Sequence, residues 1–97
     1  MQVEFVKNLT GTWKGDARLY KVTPPVPYKR DGYSIKHKQH SSYIVISAVV
    51  VMFSDSETYI FPSDKNGEIL DWGELPGSFQ GNLDHQQAID NFIEYYK

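Results

Sequence analysis

Most of the chain shows either the two-residue alternation or the continuous apolar runs that are typical of β-strands. Residues 16–22 alternate and predict a strand, and residues 3–6 fit either an edge strand or an unpaired terminus. The run 43–53 is rich in β-branched residues and apolar on both faces, so it predicts a central strand that is covered on both sides. Residues 57–61 predict the second strand of an antiparallel hairpin with this run.

Turn residues then predict how the sheet continues. Pro62 is expected to end the second strand, because proline lacks the N–H that a strand ladder uses. Asn66 and Gly67 form the strongest short signal for a hairpin turn, since both residues tolerate a positive φ. Residues 68–72 are therefore predicted to return as a third strand.

The C-terminal residues carry the clear helical period. Asp84 can accept hydrogen bonds from the first backbone donors of a helix, and Gln87 completes a capping box with it. A helix of about 13 residues, or roughly 20 Å, is expected to begin there. Its apolar stripe consists of Ala88, Ile89, Phe92, Ile93 and Tyr96.

These elements predict an α+β fold, with a small, mainly antiparallel sheet of roughly four or five strands and one C-terminal helix packed on one face. The second face of the strand at 43–53 also needs a cover. The N-terminal segment, the loop at 72–79 or a second subunit could supply it. A homodimer would account for a strand that is apolar on both faces.

Composition agrees with a single domain spanning residues 1–97. The chain is 40% hydrophobic and 23% charged, which is an ordinary globular balance. It contains no cysteine, which excludes disulfides, thiolate metal sites and a cysteine nucleophile. No apolar run is long enough to cross a bilayer, and the N-terminus lacks a signal-peptide hydrophobic region. We therefore expect a cytoplasmic protein with no membrane partner.

The net charge of −2 conceals an uneven distribution. Residues 1–40 hold eight Lys or Arg and three Asp or Glu. Residues 41–97 hold two Lys or Arg and nine Asp or Glu. Internal pairing and solvation are the ordinary explanation for such an asymmetry. The alternative is that the acidic half docks a basic host protein.

The stretch 23–40 is rich first in proline and then in basic residues. Its prolines at 24–27 are expected to end regular structure, and the sequence fits a weak strand at 33–38 and a long mobile loop equally well. Basic and aromatic side chains alternate in the way that nucleic-acid surfaces use, although a solvated basic loop is the more ordinary explanation. The candidate nucleic-acid contacts are Tyr28, Lys29, Arg30, Tyr33, Lys36 and Lys38.

Candidate catalytic groups are few. His37 and His40 would point to opposite faces of a strand, so no metal site is predicted. His85 is expected to be a solvated histidine in the first turn of the helix. A small hydrolase or transferase would require His85, or the acids Asp71 and Glu74, in a pocket. No phosphate-binding glycine motif is present, so no cofactor is predicted.

Residues 57–64 read Glu-Thr-Tyr-Ile-Phe-Pro-Ser-Asp, and residues 67–79 read Gly-Glu-Ile-Leu-Asp-Trp-Gly-Glu-Leu-Pro-Gly-Ser-Phe. Gly81, Asp84-His85, Leu19-Tyr20, Pro24-Pro25 and Ile46-Ser47-Ala48 extend this pattern. Over about residues 17–89 the chain resembles a group of short, uncharacterised proteins encoded by bacteriophages and bacteria. The resemblance implies a phage or prophage origin and the cytoplasm of an infected bacterium. It brings no activity and no catalytic residues with it.

The loop that precedes the helix is dense in aromatic residues, glycine and proline. A structural plug is its expected role, and a partner or ligand site is the alternative. The candidate residues for such a site are Trp72, Glu74, Phe79 and His85. The leading hypothesis is a small non-enzymatic module that binds a host or phage protein. Nucleic-acid binding comes next, followed by a hydrolase or transferase.

Overall fold

The computed structural model of the chain describes residues 1–9, 16–28, 39–52, 55–72, 75, 79–80 and 85–96. Its strands are β1 (Gln2–Asn8), β2 (Asp16–Tyr28), β3 (Gln39–Met52), β4 (Asp55–Ser63) and β5 (Phe79–Gln80), and its helix is α1 (His85–Tyr95). The strands form one antiparallel sheet in the order β1-β2-β3-β4-β5. The predicted α+β fold, with a C-terminal helix packed against the sheet, is confirmed.

The middle strand β3 is the one that the sequence predicted to be central. Ile44 and Ile46 belong to the apolar core beneath α1, and Val45 belongs to a second core on the opposite face. All three side chains are completely buried. The continuous apolar run is therefore explained by burial on both sides of the sheet.

The helix side of the sheet holds the larger core. Ala88 and Phe92 of α1 are fully buried, and Ile89 and Tyr96 pack against the same core, as the helical period predicted. The sheet contributes Tyr20, Val22, Val26, Ile44, Ile46 and Ile60. The helix begins at His85. The predicted cap Asp84 lies outside the described residues.

The helix-free face is covered in part by the N-terminal segment, which was one of the covers expected. Leu9 packs with Ala17, Leu19 and Val45, and its backbone N–H donates to the carbonyl oxygen of Ala17 at 2.7 Å. Gly67 closes over Leu9 from the turn that follows β4. Both apolar faces of β3 are therefore covered by residues of the same chain.

The proline run does not end the strand, contrary to the prediction. β2 continues through it to Tyr28, and the peptide bond between Thr23 and Pro24 is cis. The register with β3 breaks between Lys21 and Val26. Pro24 and Pro25 lie in that irregularity, where β3 requires no N–H donor from them.

The outer edge of β4 also differs from the prediction. Pro62 lies inside β4, and residues 68–72 form only an isolated bridge between Ser63 and Ile69 instead of a third strand. Leu70 N donates to Pro62 O at 2.9 Å, and Leu75 N donates to Ile60 O at 2.8 Å. The chain advances five residues from Leu70 to Leu75, while their bonding partners on β4 are only two residues apart. This mismatch prevents a regular ladder.

Candidate functional site

The residues predicted as one partner loop are separated by the sheet. Trp72 contacts the ring of Phe61, which is paired with Val45 on the helix-free face. His85 begins α1 and contacts Tyr20 in the core on the other side. Glu74 and the side chain of Phe79 lie outside the described residues. The structure therefore offers two distinct arrangements, one on each face.

His85 is buried, with only 6% of its surface exposed. Its Nε2 lies 3.1 Å from the backbone carbonyl oxygen of Asp16 and 3.4 Å from the Asp16 carboxylate. Its Nδ1 lies 3.3 Å from the hydroxyl of Tyr20. The solvated histidine expected from the sequence is therefore wrong, because contact with β2 covers the ring.

The partners of His85 assign its proton. Both groups that face Nε2 are acceptors, so Nε2–H donates to Asp16. Nδ1 of the neutral ring then accepts from the Tyr20 hydroxyl. Both ring nitrogens are engaged by β2, so in this state His85 holds α1 on the sheet and presents no nitrogen to solvent.

Arg18 extends this group of side chains toward the surface. Its Nε and a terminal guanidinium nitrogen donate to the two carboxylate oxygens of Asp16 at 3.2 and 2.9 Å. The two residues project to one side because they are two positions apart on β2. The hydrogen bond to Asp16 raises the pKa of Arg18. The permanently charged guanidinium group of Arg18 thus balances the charge of the Asp16 carboxylate beside His85.

Tyr20 connects His85 to the edge of the sheet. Burial raises the pKa of the Tyr20 hydroxyl above its ordinary value of 10.0, so the hydroxyl keeps the proton that it donates to His85. The ring of Phe5 packs edge-on against Tyr20 with centroids 5.9 Å apart. The arrangement links β1, β2 and α1 and acts as a structural connection.

The opposite face carries a group of aromatic side chains, of which Phe61 is buried, Tyr59 is half-buried and Trp72 is exposed. We call the group Tyr59, Phe61 and Trp72 the aromatic surface. Trp72 is 65% exposed and stands edge-on to Phe61 with ring centroids 5.4 Å apart. Tyr59 stacks on Phe61 at 5.9 Å. The backbone on either side of Trp72 is fixed to β4 by the hydrogen bonds of Leu70 and Leu75.

The turn at residues 64–68 follows β4 and carries Asp64, Lys65 and Glu68. One oxygen of the Asp64 carboxylate accepts hydrogen bonds from the backbone N–H groups of Asn66 and Glu68 at 2.8 and 3.0 Å. Gly67 has a φ of +88° and approaches Leu9, which places the turn over the helix-free face. The Glu68 side chain is exposed. Lys65 is exposed as well, so the turn presents side chains of both charges to solvent.

The candidate nucleic-acid contacts are represented by a single described residue. Tyr28 is half-buried and packs against the helix-side core, so its ring serves the fold. The other five candidates lie outside the described residues: Lys29, Arg30, Tyr33, Lys36 and Lys38.

The described residues contain no cluster of three or more His, Cys, Asp or Glu side chains able to hold a metal ion. Asp71, one of the acids considered for a hydrolase site, is half-buried, and Glu74 lies outside the described part of the chain. Within that part, no helix combines the length and the apolar character needed to cross a membrane.

Comparisons with known proteins add no family assignment: no protein-family model, no curated protein and no solved structure matches the chain.

Sequence reasoning missed the connection between His85 and β2. Alternation placed Arg18 and Tyr20 on the same side of a strand, but nothing local relates Tyr20 to a histidine 65 positions later. The exposure of Trp72 could not be derived either, because a tryptophan after a strand fits a buried plug equally well. The sheet lies between the two residues, because His85 contacts Tyr20 on the helix side and Trp72 contacts Phe61 on the other face.

Proposed function

We propose that the protein is a small non-enzymatic interaction module that binds another protein through the aromatic surface. The exposure of Trp72 carries this proposal: a large apolar side chain is 65% accessible although Phe61 holds its ring. Tryptophan is among the residues most enriched at the energetic centres of protein interfaces. A ring already held in place loses little conformational freedom on binding, so more of its burial contributes to affinity.

The proposed partner is a host or phage protein in the bacterial cytoplasm, the setting that the resemblance implies. The non-enzymatic part of the proposal is supported by His85, whose two ring nitrogens are taken up by Asp16 and Tyr20.

The test is affinity capture from a bacterial host lysate with the tagged full chain, performed with and without nuclease. Trp72→Ala is compared with Tyr95→Ala, which is a matched control because Tyr95 is 66% exposed and lies on α1, across the sheet from Trp72. We expect a nuclease-resistant protein to be captured by the unchanged chain and by Tyr95→Ala, and lost with Trp72→Ala.

Capture that is equal for both variants would show that the aromatic surface is not the binding site. Recovery that disappears with nuclease would replace this proposal with nucleic-acid binding through the basic segment 28–40. The amide spectrum of each variant confirms that the fold is intact before either result is interpreted.

A further inference from the structure

β1 is the outermost strand on one side of the sheet, and β2 is the one described strand that pairs with it. Every residue from Glu4 to Asn8 is exposed, including the apolar side chains of Phe5 and Val6, at 60% and 43%. In an antiparallel ladder, every second residue of an edge strand directs its N–H and C=O away from its neighbour. The edge thus combines exposed apolar side chains with the backbone groups that a further strand would use.

A bulge in β1 changes which of its side chains share a face. Phe5 and Lys7 are paired with Tyr20 and Leu19, which are neighbours on β2, so Val6 is the additional residue. Without a bulge, positions 5 and 7 of a strand would point to the same side. Here Phe5 packs on Tyr20 on the helix side, whereas Lys7 lies opposite Leu19, which belongs to the helix-free core.

Glu4 and Lys7 consequently lie on the same face, on either side of the bulge. Glu4 is opposite Lys21, and Lys21 is opposite Tyr43, which packs against the helix-free core. Neither Glu4 nor Lys7 forms an ion pair within the described part of the chain, and this includes the cross-strand neighbour Lys21. An acidic and a basic side chain are thus available on one face of the edge strand.

The order of these residues makes β1 complementary to itself. Two copies of a strand that pair antiparallel about a two-fold axis bring equivalent faces together. With the axis at the bulge, Glu4 of each copy lies opposite Lys7 of the other, and the two Phe5 side chains meet on the helix side. A slip of two residues places Glu4 opposite its own equivalent in one direction, and Lys7 opposite its own in the other. Like charges directly opposite destabilise a strand pair, so the register centred on the bulge is favoured.

We propose that the chain forms a symmetric dimer in which β1 pairs antiparallel with β1 of a second copy, joining two five-stranded sheets into one. A second copy is the occupant because an interface with two-fold symmetry requires a surface that complements itself, and β1 has both the charges and the apolar centre for it. The aromatic surface is built on β4, with β2 and β3 between it and β1. The dimer therefore does not depend on the proposed function.

Sedimentation equilibrium of the full chain from about 1 μM to 1 mM measures the association. Glu4→Lys and Lys7→Glu should each weaken it about tenfold, because each change places like charges opposite one another at two symmetry-related positions. An equimolar mixture of the two variants should associate as the unchanged chain does. One variant then carries positive and the other negative side chains at both positions, so every cross-strand pair is attractive again.

Two aromatic substitutions locate the interface. Phe5→Ala removes the apolar centre and should weaken the association about tenfold. Trp72→Ala is the matched control, because Trp72 is 65% exposed and lies beyond β4, and it should leave the association unchanged. The amide spectrum of each variant confirms that the fold is intact.

A chain that remains monomeric throughout the concentration range overturns the inference and assigns the bulge and the charges to protection of a free edge. A dimer that is lost with Trp72→Ala and kept with Phe5→Ala also overturns it, because the aromatic surface is then the site of self-association. A mixture of Glu4→Lys and Lys7→Glu that associates no better than either variant alone rejects the pairing of Glu4 with Lys7.

Discussion

The Nε2 atom of His85 lies 3.1 Å from the backbone carbonyl oxygen of Asp16, 69 positions earlier in the chain. This bond joins the first residue of α1 to the first residue of β2. Because Tyr20 engages the other ring nitrogen, one buried side chain fixes the position of the helix start on the sheet.

Replacing His85 is expected to destabilise the fold. In His85→Ala the buried Tyr20 hydroxyl loses its acceptor and a cavity remains, so we expect a loss of about 1–3 kcal/mol in the free energy of unfolding. His85→Gln, which can still donate to Asp16, should lose less. Urea denaturation monitored by circular dichroism measures both. A change in His85→Ala within the error of the measurement would show that the bonds to Asp16 and Tyr20 contribute nothing net.

Alkaline pH should weaken the fold through Tyr20. Burial raises the pKa of Tyr20 in the folded state, so the unfolded chain gives up this proton first as pH rises past 10.0. The stabilisation by Tyr20 is fully present below that pH and is lost as pH rises toward the folded-state pKa. Urea midpoints measured from about pH 8 to 11 should fall less steeply for Tyr20→Phe than for the unchanged chain.

Tyr96 provides the comparison for this titration, because burial also raises its pKa. Tyr96→Phe should remove a separate part of the alkaline decline. If Tyr20→Phe follows the same pH curve as the unchanged chain, the Tyr20 hydroxyl does not ionise differently in the folded and unfolded states.

Two buried serines of β3 should respond in opposite ways to loss of their hydroxyl groups. The Ser41 hydroxyl donates to the carbonyl oxygen of Ser63 at 2.6 Å and joins β3 to β4. The Ser47 hydroxyl is buried without a hydrogen-bond partner in the structure as described. We expect Ser41→Ala to lose about 1 kcal/mol and Ser47→Ala to be neutral or slightly stabilising. Thermal unfolding of the two variants under one condition tests the contrast, and equal losses would contradict it.

Replacing Gly67 with a residue that has a β-carbon should destabilise the fold. Its φ is +88°, and a Cβ placed there would lie 2.9 Å from Cδ1 of Leu9. Gly67→Ala is therefore expected to lose about 1–3 kcal/mol in the free energy of unfolding, measured by urea denaturation.

A second substitution separates the two causes of that loss. Leu9→Ala in the Gly67→Ala background removes the close approach, while the unfavourable φ remains. If the two losses simply add, the contact with Leu9 is not a cause of the destabilisation. Coupling between the two sites would confirm that Gly67 closes the helix-free core.

The sequence alone determined the elements whose burial is continuous along the chain. The run at 43–53 has to be covered on both faces wherever it lies, and the stripe containing Ala88 and Phe92 has to face a core. The turn at Asn66-Gly67 could also be predicted from the sequence, because the positive φ of Gly67 is a local requirement. Hydrophobic period and turn chemistry are properties of neighbouring residues, so no tertiary information is needed to find them.

Only the tertiary structure decided which partner each exposed or polar group meets. The proline run could stay within β2 because the break in register with β3 falls at Pro24 and Pro25. Residues 68–72 did not become a strand because Leu70 and Leu75 bond to Pro62 and Ile60, a spacing of five residues against two that does not fit a regular ladder. His85 and Trp72, which are 13 positions apart in the printed sequence, lie on opposite faces because α1 crosses only one of them. Burial of a histidine and exposure of a tryptophan are both set by what packs against them, and that information is spread over the whole chain.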